Sequence, residues 1–285
     1  MLRRLNGQSR VLLIIIFNQS GKISYQSEMN QRNPTIFREQ DGISYLALPS
    51  FQAPGLVHGF FMRHGGVSPS PWNFLNVGFG LGDPDENVAE NRLRLKTVLG
   101  LTHLVSGRQV HGARVLTIDK PLQGDLVAEG YDAFITDQAD VGLMIQQADC
   151  QAIMFHGQTR AVIGIAHVGW RGSVAGIIDK TVLAIKEAFG VRPEDLKAII
   201  GPSLGPCCAE FVNYQKELPE GFQSFQVRPF YFDFWAISRA QLMAAGIPAA
   251  SINSAAICTV CEQSFFSYRR DRQTGRFAAV IGFRP

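Results

Sequence analysis

The segment from residue 161 to residue 189 constrains the fold more than any other part of the sequence. The apolar run Ala-Val-Ile-Gly-Ile-Ala at 161–166 has the length and composition of a buried strand. From 173 to 189 apolar residues recur every three or four positions, which is typical of one face of an α-helix. Between them lies His-Val-Gly-Trp-Arg-Gly at 167–172, so the sequence predicts a strand, a tight turn and a helix in succession.

The predicted turn carries groups that suit an anion. His167 lies at the end of the strand, Arg171 follows four residues later, and the helix is expected to begin at Ser173. Backbone amides at a helix N-terminus and a nearby guanidinium both favour phosphate or carboxylate. We therefore expect a metal-binding or proton-handling imidazole beside an anion site.

Elsewhere the sequence predicts more strands than helices. One helix is expected after Asp83, which would be its N-cap residue, and it should stop at Gly100; another is expected at about 233–245. Strands are predicted at 44–48, 115–118, 133–136, 141–145, 152–155, 161–166, 197–200 and 278–281. Because helices are few and do not alternate regularly with strands, we predict an α+β fold, a single compact domain with a mixed β-sheet core flanked by helices.

Charge is concentrated at the N-terminus. The chain has 285 residues and a net charge of +3, and residues 1–28 hold four basic residues and one acidic residue, which accounts for the whole excess. The remaining chain is neutral, so we expect no nucleic-acid partner. With 46% hydrophobic and 18% charged residues, the composition is that of an ordinary globular protein.

Residues 1–28 are expected to be a flexible extension ahead of an internal start at Met29, with a single catalytic domain at 29–285. The apolar run at 11–17 follows two arginines, as in a secretory signal, but it has only seven residues and no small-x-small cleavage site follows. It is also too short to span a bilayer. A true signal segment and an added edge strand are the alternatives; our expectation is a cytoplasmic protein with no membrane partner.

The five cysteines indicate a reducing compartment. Their number is odd, and the adjacent pair Cys207 and Cys208 cannot be bridged without strain. Cys258 and Cys261 form a lone C-x-x-C that lacks the second pair required by a zinc ribbon. All four are expected to be packing residues, with a redox role for the C-x-x-C as the alternative.

Three further polar residues lie at the ends or edges of predicted strands: His111, Cys150 and His167. Two imidazoles and a thiolate suit Zn²⁺ or a copper ion and leave one position for water or substrate. Their spacing matches no local ligand motif. The alternative is two hydrogen-bonded histidines and a core thiol.

Seven motifs occur in unbroken order from about residue 51 to the C-terminus. They are His58-Gly-Phe-Phe-Met-Arg-His-Gly-Gly66, Gly82-Asp with Asn91-Arg92, Gln109-Val-His-Gly112, Ala148-Asp-Cys150, His167-Val-Gly-Trp-Arg-Gly172, Gly201-Pro-Ser203 through Cys207, and Phe266-Ser-Tyr-Arg-Arg-Asp271 with Thr274-Gly-Arg276. With these motifs the chain resembles the laccase-domain family, also described as polyphenol oxidases and as purine nucleoside phosphorylases. The first 28 residues depart from the family pattern.

The resemblance implies a metal-dependent enzyme of purine nucleosides. In that family two histidines and a cysteine of these motifs bind the metal and catalyse, and they fall here on His111, Cys150 and His167. The implied reactions are the cleavage of adenosine, inosine, guanosine or methylthioadenosine by phosphate, and adenosine deamination. Zinc is the expected metal, with copper as the alternative, and a monomer is expected.

Other residues are assigned to this chemistry by their position. Arg171, Ser173 and Arg63 are the candidates for binding phosphate, and Asp149 is the candidate proton shuttle or ligand-orienting residue. Weaker candidates are His64 and Arg269, Arg270 and Arg276 for substrate or phosphate, and Phe265, Phe266 and Tyr268 for stacking on a purine.

Two other functions stay open. A copper-dependent polyphenol oxidase would need additional ligands for a multicopper cluster, and the chain has only six histidines. A peptidoglycan precursor editing factor would need a thiolate or metal beside an anion site, as a phosphorylase does. The sequence does not separate this editing function from the phosphorylase.

Overall fold

Two mixed β-sheets packed face to face form the centre of the fold. The computed structural model of the protein describes residues 35–285, so the predicted extension 1–28 lies outside the described residues. Within residues 35–285 the strands are β1 Ile36–Gln40, β2 Ile43–Ala47, β3 Leu56–Phe61, β4 His103–Arg108, β5 Val115–Ile118, β6 Leu126–Glu129, β7 Ala133–Thr136, β8 Val141–Gln147, β9 Gln151–Gly157, β10 Ile163–Val168, β11 Leu196–Ile200, β12 Gln226–Arg228, β13 Tyr231–Phe232, β14 Ile252–Ser254 and β15 Phe277–Phe283. The α-helices are α1 Asp85–Leu99, α2 Trp170–Val174, α3 Ile177–Phe189, α4 Tyr214–Glu217, α5 Phe234–Ala244 and α6 Tyr268–Asp271.

The first sheet has the strand order β1-β2-β3-β15-β8-β4-β6, and the second has the order β14-β11-β9-β10-β7-β5. Most neighbouring strands are antiparallel, whereas β4 is parallel to both β8 and β6, β5 is parallel to β7, and β11 is parallel to β14. The α+β class with mixed sheets flanked by helices is therefore confirmed. The core differs from the prediction in having two large sheets where one was expected.

Alternation along the strands explains how two sheets share one core. In β9, Ala152 and Met154 belong to the core between the sheets, whereas Ile153 and Phe155 pack on the outer face against α3 and α5. Successive side chains of a strand point to opposite faces, so a strand buried on both faces is apolar throughout. The outer face of the first sheet is covered by α1 through Leu95, Val98 and Leu99.

Each of the eight predicted strands coincides with an observed strand. Helix α1 ends at Leu99, and Gly100 adopts the left-handed conformation that closes a helix, as predicted. Asp83, however, is not its N-cap: the Asp83 carboxylate accepts hydrogen bonds from the side chains of Ser68, Asn76 and Asn87. None of the helices in the described region is long and apolar enough to cross a membrane.

The helix predicted at 173–189 is two helices. Helix α2 already begins at Trp170, within the predicted turn, and Gly176 adopts a positive φ of 75° before α3 begins at Ile177. The periodicity of the apolar residues continues across this break, so periodicity alone indicated one helix. The break places the first turn of helix, with Arg171, directly after β10.

Sheet topology brings two polar loops and the end of strand β10 to one edge. The segment Ala148-Asp149-Cys150 connects β8 of the first sheet to β9 of the second. Val168, at the end of β10, pairs with Gln151 at the start of β9, which places His167 near Cys150. The loop that holds His111 leaves the carboxyl end of β4, which is parallel to β8, so it lies at the same edge as Cys150.

Candidate active site

A cavity of about 940 Å³ opens at this edge of the two sheets. His111, Cys150 and His167 line it, and their ligand atoms lie within 4.8 Å of one another. The two imidazole rings have a centroid distance of 4.8 Å and meet nearly edge to face. The structure thus brings together three side chains, two from loops and His167 from the end of strand β10.

Asp132 fixes the geometry of both histidines. It is fully buried, and its Oδ1 lies 2.8 Å from Nδ1 of His167, so Nε2 of His167 remains for Cys150 or a metal. The backbone amides of Val110, His111 and Gly112 donate to the same carboxylate at 2.9–3.1 Å. His111 has a positive φ of 59°, and these bonds hold the loop in that less common conformation. A carboxylate behind a ligating histidine is a frequent arrangement in metal sites.

Cys150 and His167 favour each other's charged forms. Burial opposes ionisation of the Cys150 thiol, yet the charge of His167 and hydrogen bonds from both histidines lower its pKa to about 6. Burial likewise opposes protonation of His167, yet Cys150 and Asp132 raise its pKa to about 9. These shifts favour the thiolate of Cys150, which is the form that binds metals and acts as a nucleophile.

Gly169 leaves room for two of these side chains. A Cβ atom at this position would lie 3.0 Å from Cδ2 of His111 and 3.1 Å from Sγ of Cys150. Both distances are shorter than an ordinary carbon contact. The glycine between His167 and Trp170 is thus required by space, since its φ of −76° is accessible to any residue.

Asp149 also lines the cavity, but both oxygens of its carboxylate already accept hydrogen bonds. The hydroxyl of Thr259 donates to Oδ1 at 2.7 Å, and the backbone amide of Arg269 donates to Oδ2 at 2.6 Å. Asp149 has a positive φ of 95°. These contacts fit a residue that holds the turn before Cys150, which is the orienting role considered from the sequence.

The cavity is rich in positive charge. Its lining includes five arginines, Arg108, Arg171, Arg269, Arg272 and Arg276, and three acidic residues, Asp149, Glu210 and Glu217. Arg171 stacks on the neighbouring Trp170, with its guanidinium carbon 4.3 Å from the ring centre. Arg276 is largely buried; burial lowers its pKa, and the charges of Cys150 and Asp149 oppose that effect. Such a lining suits an anionic ligand.

The same cavity holds a buried amide without a partner. Gln147 is 2% exposed, and neither its Nε2 nor its Oε1 has a hydrogen-bond partner among the described residues. Aromatic rings complete the wall: Phe79, Trp170, Phe211, Phe234 and Tyr268. A ligand with a flat ring and polar edges would satisfy both features.

Two predicted phosphate-binding residues do not lie in this cavity. The Ser173 amide donates to Gly169 O within the helical turn, and its hydroxyl donates to Gln241, so both groups are already used. Arg63 donates to the carbonyl of Asn73 and lines a separate cavity, together with His64. The anion site expected at a helix start beginning with Ser173 is therefore corrected, because α2 begins three residues earlier.

The predicted stacking residues divide between core and cavity. Phe265 and Phe266 are fully buried in the core, and only Tyr268 of the three lines the cavity. Arg269 and Arg276 line it as well, whereas Arg270 borders the separate cavity of Arg63. Sequence analysis missed Asp132 and Gln147. The signal available for Asp132 was an acidic residue directly before the predicted strand 133–136; Gln147 gave none.

The chain is similar in sequence and in fold to several known proteins. The profile of a family described as multi-copper polyphenol oxidoreductase laccase matches residues 57–284. A purine nucleoside phosphorylase, YlmD of Geobacillus stearothermophilus, is 34% identical over 88% of this chain and 98% of its own length. A purine nucleoside phosphorylase, YfiH of Escherichia coli K12, is 32% identical over 84% of this chain and 99% of its own. The crystal structure of the Geobacillus YlmD superposes with a TM-score of 0.80 at 33% identity, covering 88% of this chain and all of that one.

Proposed function

The chain belongs to the family described as multi-copper polyphenol oxidoreductase laccase, and on that premise we propose that it is a zinc-dependent purine nucleoside phosphorylase with adenosine deaminase activity. The names of its relatives support the first activity. Adenosine, inosine, guanosine and methylthioadenosine are the proposed nucleosides, and inorganic phosphate is the second substrate. A monomer acting in the cytoplasm remains the proposal.

One observation carries this function: a single cavity holds the His111, Cys150 and His167 cluster, an excess of arginines and an unpartnered buried amide. A nucleoside phosphorylase must bind a base, a sugar and a phosphate side by side. A volume of about 940 Å³ lies at the upper end of the range for small-molecule sites and accommodates both substrates.

The proposed zinc ligands are His111, Cys150 and His167. Two imidazoles and a thiolate match the three-ligand sets of catalytic zinc, and the lowered pKa of Cys150 matches a ligand that must be deprotonated. When bound there, zinc would supply a water with a pKa near neutrality, which deamination requires. Asp132 holds His167 with Nε2 free, as a ligand of this kind needs.

For phosphorolysis we propose that Arg171 and Arg276 hold the phosphate near C1′ of the ribose. The bond from C1′ to the purine nitrogen breaks, a phosphate oxygen bonds to C1′, and the electron pair leaves with the purine. Gln147 is the candidate to donate a hydrogen bond to the departing base, since its buried amide has no other partner among the described residues. Stabilising the charge that develops in the transition state is the main source of catalysis in such a step.

For deamination we propose Asp149 as the residue that positions or carries the proton between water and the leaving ammonia. Each carboxylate oxygen has a second lone pair beyond the bonds to Thr259 and Arg269. The contacts support its orienting role more directly than a shuttle role.

The phosphate assignment is tested with Arg171→Ala. The rate of phosphate-dependent inosine cleavage is expected to fall roughly 100-fold, because a charged contact that stabilises the transition state by a few kcal/mol is lost. Adenosine deamination needs no phosphate and should fall much less. Both reactions are measured across a range of phosphate concentrations, with Arg63→Ala as the matched control because Arg63 lines another cavity. Equal losses in both reactions would contradict the assignment, and a parent enzyme without phosphate dependence would exclude phosphorolysis.

The two alternatives predict other outcomes. A multicopper oxidase needs further histidine ligands, yet among residues 35–285 the remaining His58, His64, His103 and His156 all lie outside the lining of the cavity. Oxidation of phenols by copper-loaded protein would favour that alternative. Precursor editing would appear as hydrolysis without phosphate and without purine binding to the cavity.

A further inference from the structure

Four cysteines outside the candidate active site meet at one point. All four Sγ atoms of Cys207, Cys208, Cys258 and Cys261 lie within 4.8 Å of one another. Cys261 Sγ is 3.7 Å from that of Cys207 and 3.6 Å from that of Cys208. The C-x-x-C therefore has the second pair that the sequence analysis found missing. The adjacent cysteines supply it, 54 residues away from Cys261 in the case of Cys207.

These sulfur–sulfur distances fit a single tetrahedral metal ion. Zinc–sulfur bonds are about 2.3 Å long, and a regular tetrahedron of such bonds has sulfur atoms about 3.8 Å apart. A disulfide bond is much shorter, at about 2.05 Å. An iron–sulfur cluster distributes its thiolates over several iron atoms, so they would stand farther apart than in this cluster.

We propose that Cys207, Cys208, Cys258 and Cys261 bind one structural Zn²⁺, separate from the metal of the active site. Four thiolates close the coordination sphere, which is typical of structural zinc and leaves no position for substrate. The observations behind this site do not depend on the proposed enzymatic activity.

Backbone hydrogen bonds already arrange the two loops for such an ion. The amide of Gly205 donates to Cys258 Sγ at 3.3 Å, which is the kind of contact that steadies a thiolate. Ser203 N donates to Ile257 O, and Thr259 N donates to Ser203 O, each at 3.0 Å. The loops at 201–211 and 255–262 are thus held side by side.

A cation would also relieve the crowding of the sulfur atoms. Four thiolates in contact repel one another, and a divalent cation between them offsets that repulsion. The guanidinium of Arg228 donates to the carbonyl of Cys207 at 3.0 Å and places a further positive charge at the same loop.

The proposed zinc would brace one wall of the active-site cavity. Leu204 and Glu210, on the loop of Cys207 and Cys208, line that cavity. Thr259, between Cys258 and Cys261, donates to the Asp149 carboxylate. Loss of the ion should therefore lower the stability of the fold and loosen Asp149, although none of the four cysteines lines the cavity.

The metal content of the full chain tests the proposal. The zinc and iron content per chain is measured by elemental mass spectrometry. The proteins compared are the parent, Cys258→Ser and the control Cys150→Ser. Cys258→Ser is expected to carry one zinc fewer than the parent and to melt at a lower temperature. Cys150→Ser should retain the zinc of the four-cysteine site. Equal zinc in Cys258→Ser and the parent, or iron in place of zinc, would overturn the assignment.

A second measurement uses a protein that keeps all four cysteines of the cluster, so it does not depend on how Cys258→Ser folds. Metal-stripped Cys150→Ser is titrated with Co²⁺, which reports tetrahedral thiolate ligation through its visible ligand-field bands and its near-ultraviolet charge-transfer absorption. One equivalent of Co²⁺ should produce both, and Zn²⁺ should displace it. Absence of these bands, or a disulfide that joins two of the four cysteines in parent protein alkylated without reductant, would refute the site.

Discussion

Replacing Asp132 with Asn tests whether one buried carboxylate organises the active site. At pH 7.5 the residue is charged: burial opposes its ionisation, but hydrogen bonds from His167 and the Gly112 amide hold its pKa below the usual range. Its stabilising effect is therefore fully present at neutral pH and is lost only as the pH falls through that lowered pKa.

The magnitude follows from counting hydrogen bonds. Oδ1 of Asp132 accepts from the His111 amide and pairs with His167, while Oδ2 accepts from the amides of Val110 and Gly112. An asparagine has only one oxygen, so its NH₂ group faces two donors. In one orientation both the Val110 and Gly112 amides lose their acceptor. In the other, the His111 amide loses its acceptor, and His167, whose pKa is raised to about 9, must give up its Nδ1 proton to accept from the NH₂ group.

Each buried donor without an acceptor costs about 1–3 kcal/mol. The less costly orientation leaves one such donor, so Asp132→Asn should lower the free energy of unfolding by about 1–3 kcal/mol. That orientation also places the proton of His167 on Nε2, the nitrogen required by a metal. Metal affinity is therefore expected to fall 10- to 100-fold, as for other residues that orient a ligating histidine.

Urea unfolding at pH 7.5 measures the first effect, and titration of metal-stripped protein with Zn²⁺ measures the second. Asp137→Asn is the matched control, because Asp137 forms a partly exposed ion pair with Arg160, and ion pairs near the surface contribute about 0–1 kcal/mol. An Asp132→Asn protein with the stability and zinc affinity of the control would refute the reasoning.

Further predictions concern space, pH and the N-terminus. Gly169→Ala should weaken zinc binding and both activities, because its Cβ would lie 3.0 Å from His111 and 3.1 Å from Cys150; unchanged zinc affinity would contradict this. Burial lowers the pKa of His58 to about 4 from 6.5, so the unfolded chain takes up that proton first and stability should fall as the pH drops from 6.5 to 4. This loss of stability at low pH should be smaller in His58→Gln; a pH profile identical to that of the parent would contradict the role given to His58. A chain that begins at Met29 should keep the parent's melting temperature and activity; a clear loss in either would show that residues 1–28 belong to the fold.

Local sequence determined the elements of this fold well. The apolar period of α1 together with Gly100 determined where that helix ends, and runs such as 152–155 determined strands that are buried on both faces. These signals act over a few residues, because helix and strand geometry repeats every 3.6 or 2 residues. The helix break at Gly176 was not predicted, because a single residue in the left-handed conformation does not interrupt the apolar periodicity on either side of it.

The motifs also brought His111, Cys150 and His167 forward as a group, although no spacing in the sequence shows that they touch. Their meeting depends on the connection from β8 to β9, the pairing of β9 with β10 and the parallel pairing of β4 with β8. Pairing between strands distant in sequence is a tertiary property, since many partners are compatible with the same local pattern.

Tertiary structure alone decided which other residues join the site. It brought Asp132 to within 2.8 Å of a histidine 35 residues away and joined two pairs of cysteines into one cluster. It also placed two predicted phosphate-binding residues outside the cavity. Arg63 lines a separate cavity, and Ser173 forms hydrogen bonds with Gly169 and Gln241. The sequence by itself thus determined the elements and the reactive residue types. The packing of the two sheets depends on side-chain burial along the whole described chain, and it decided which of the reactive residues lie together.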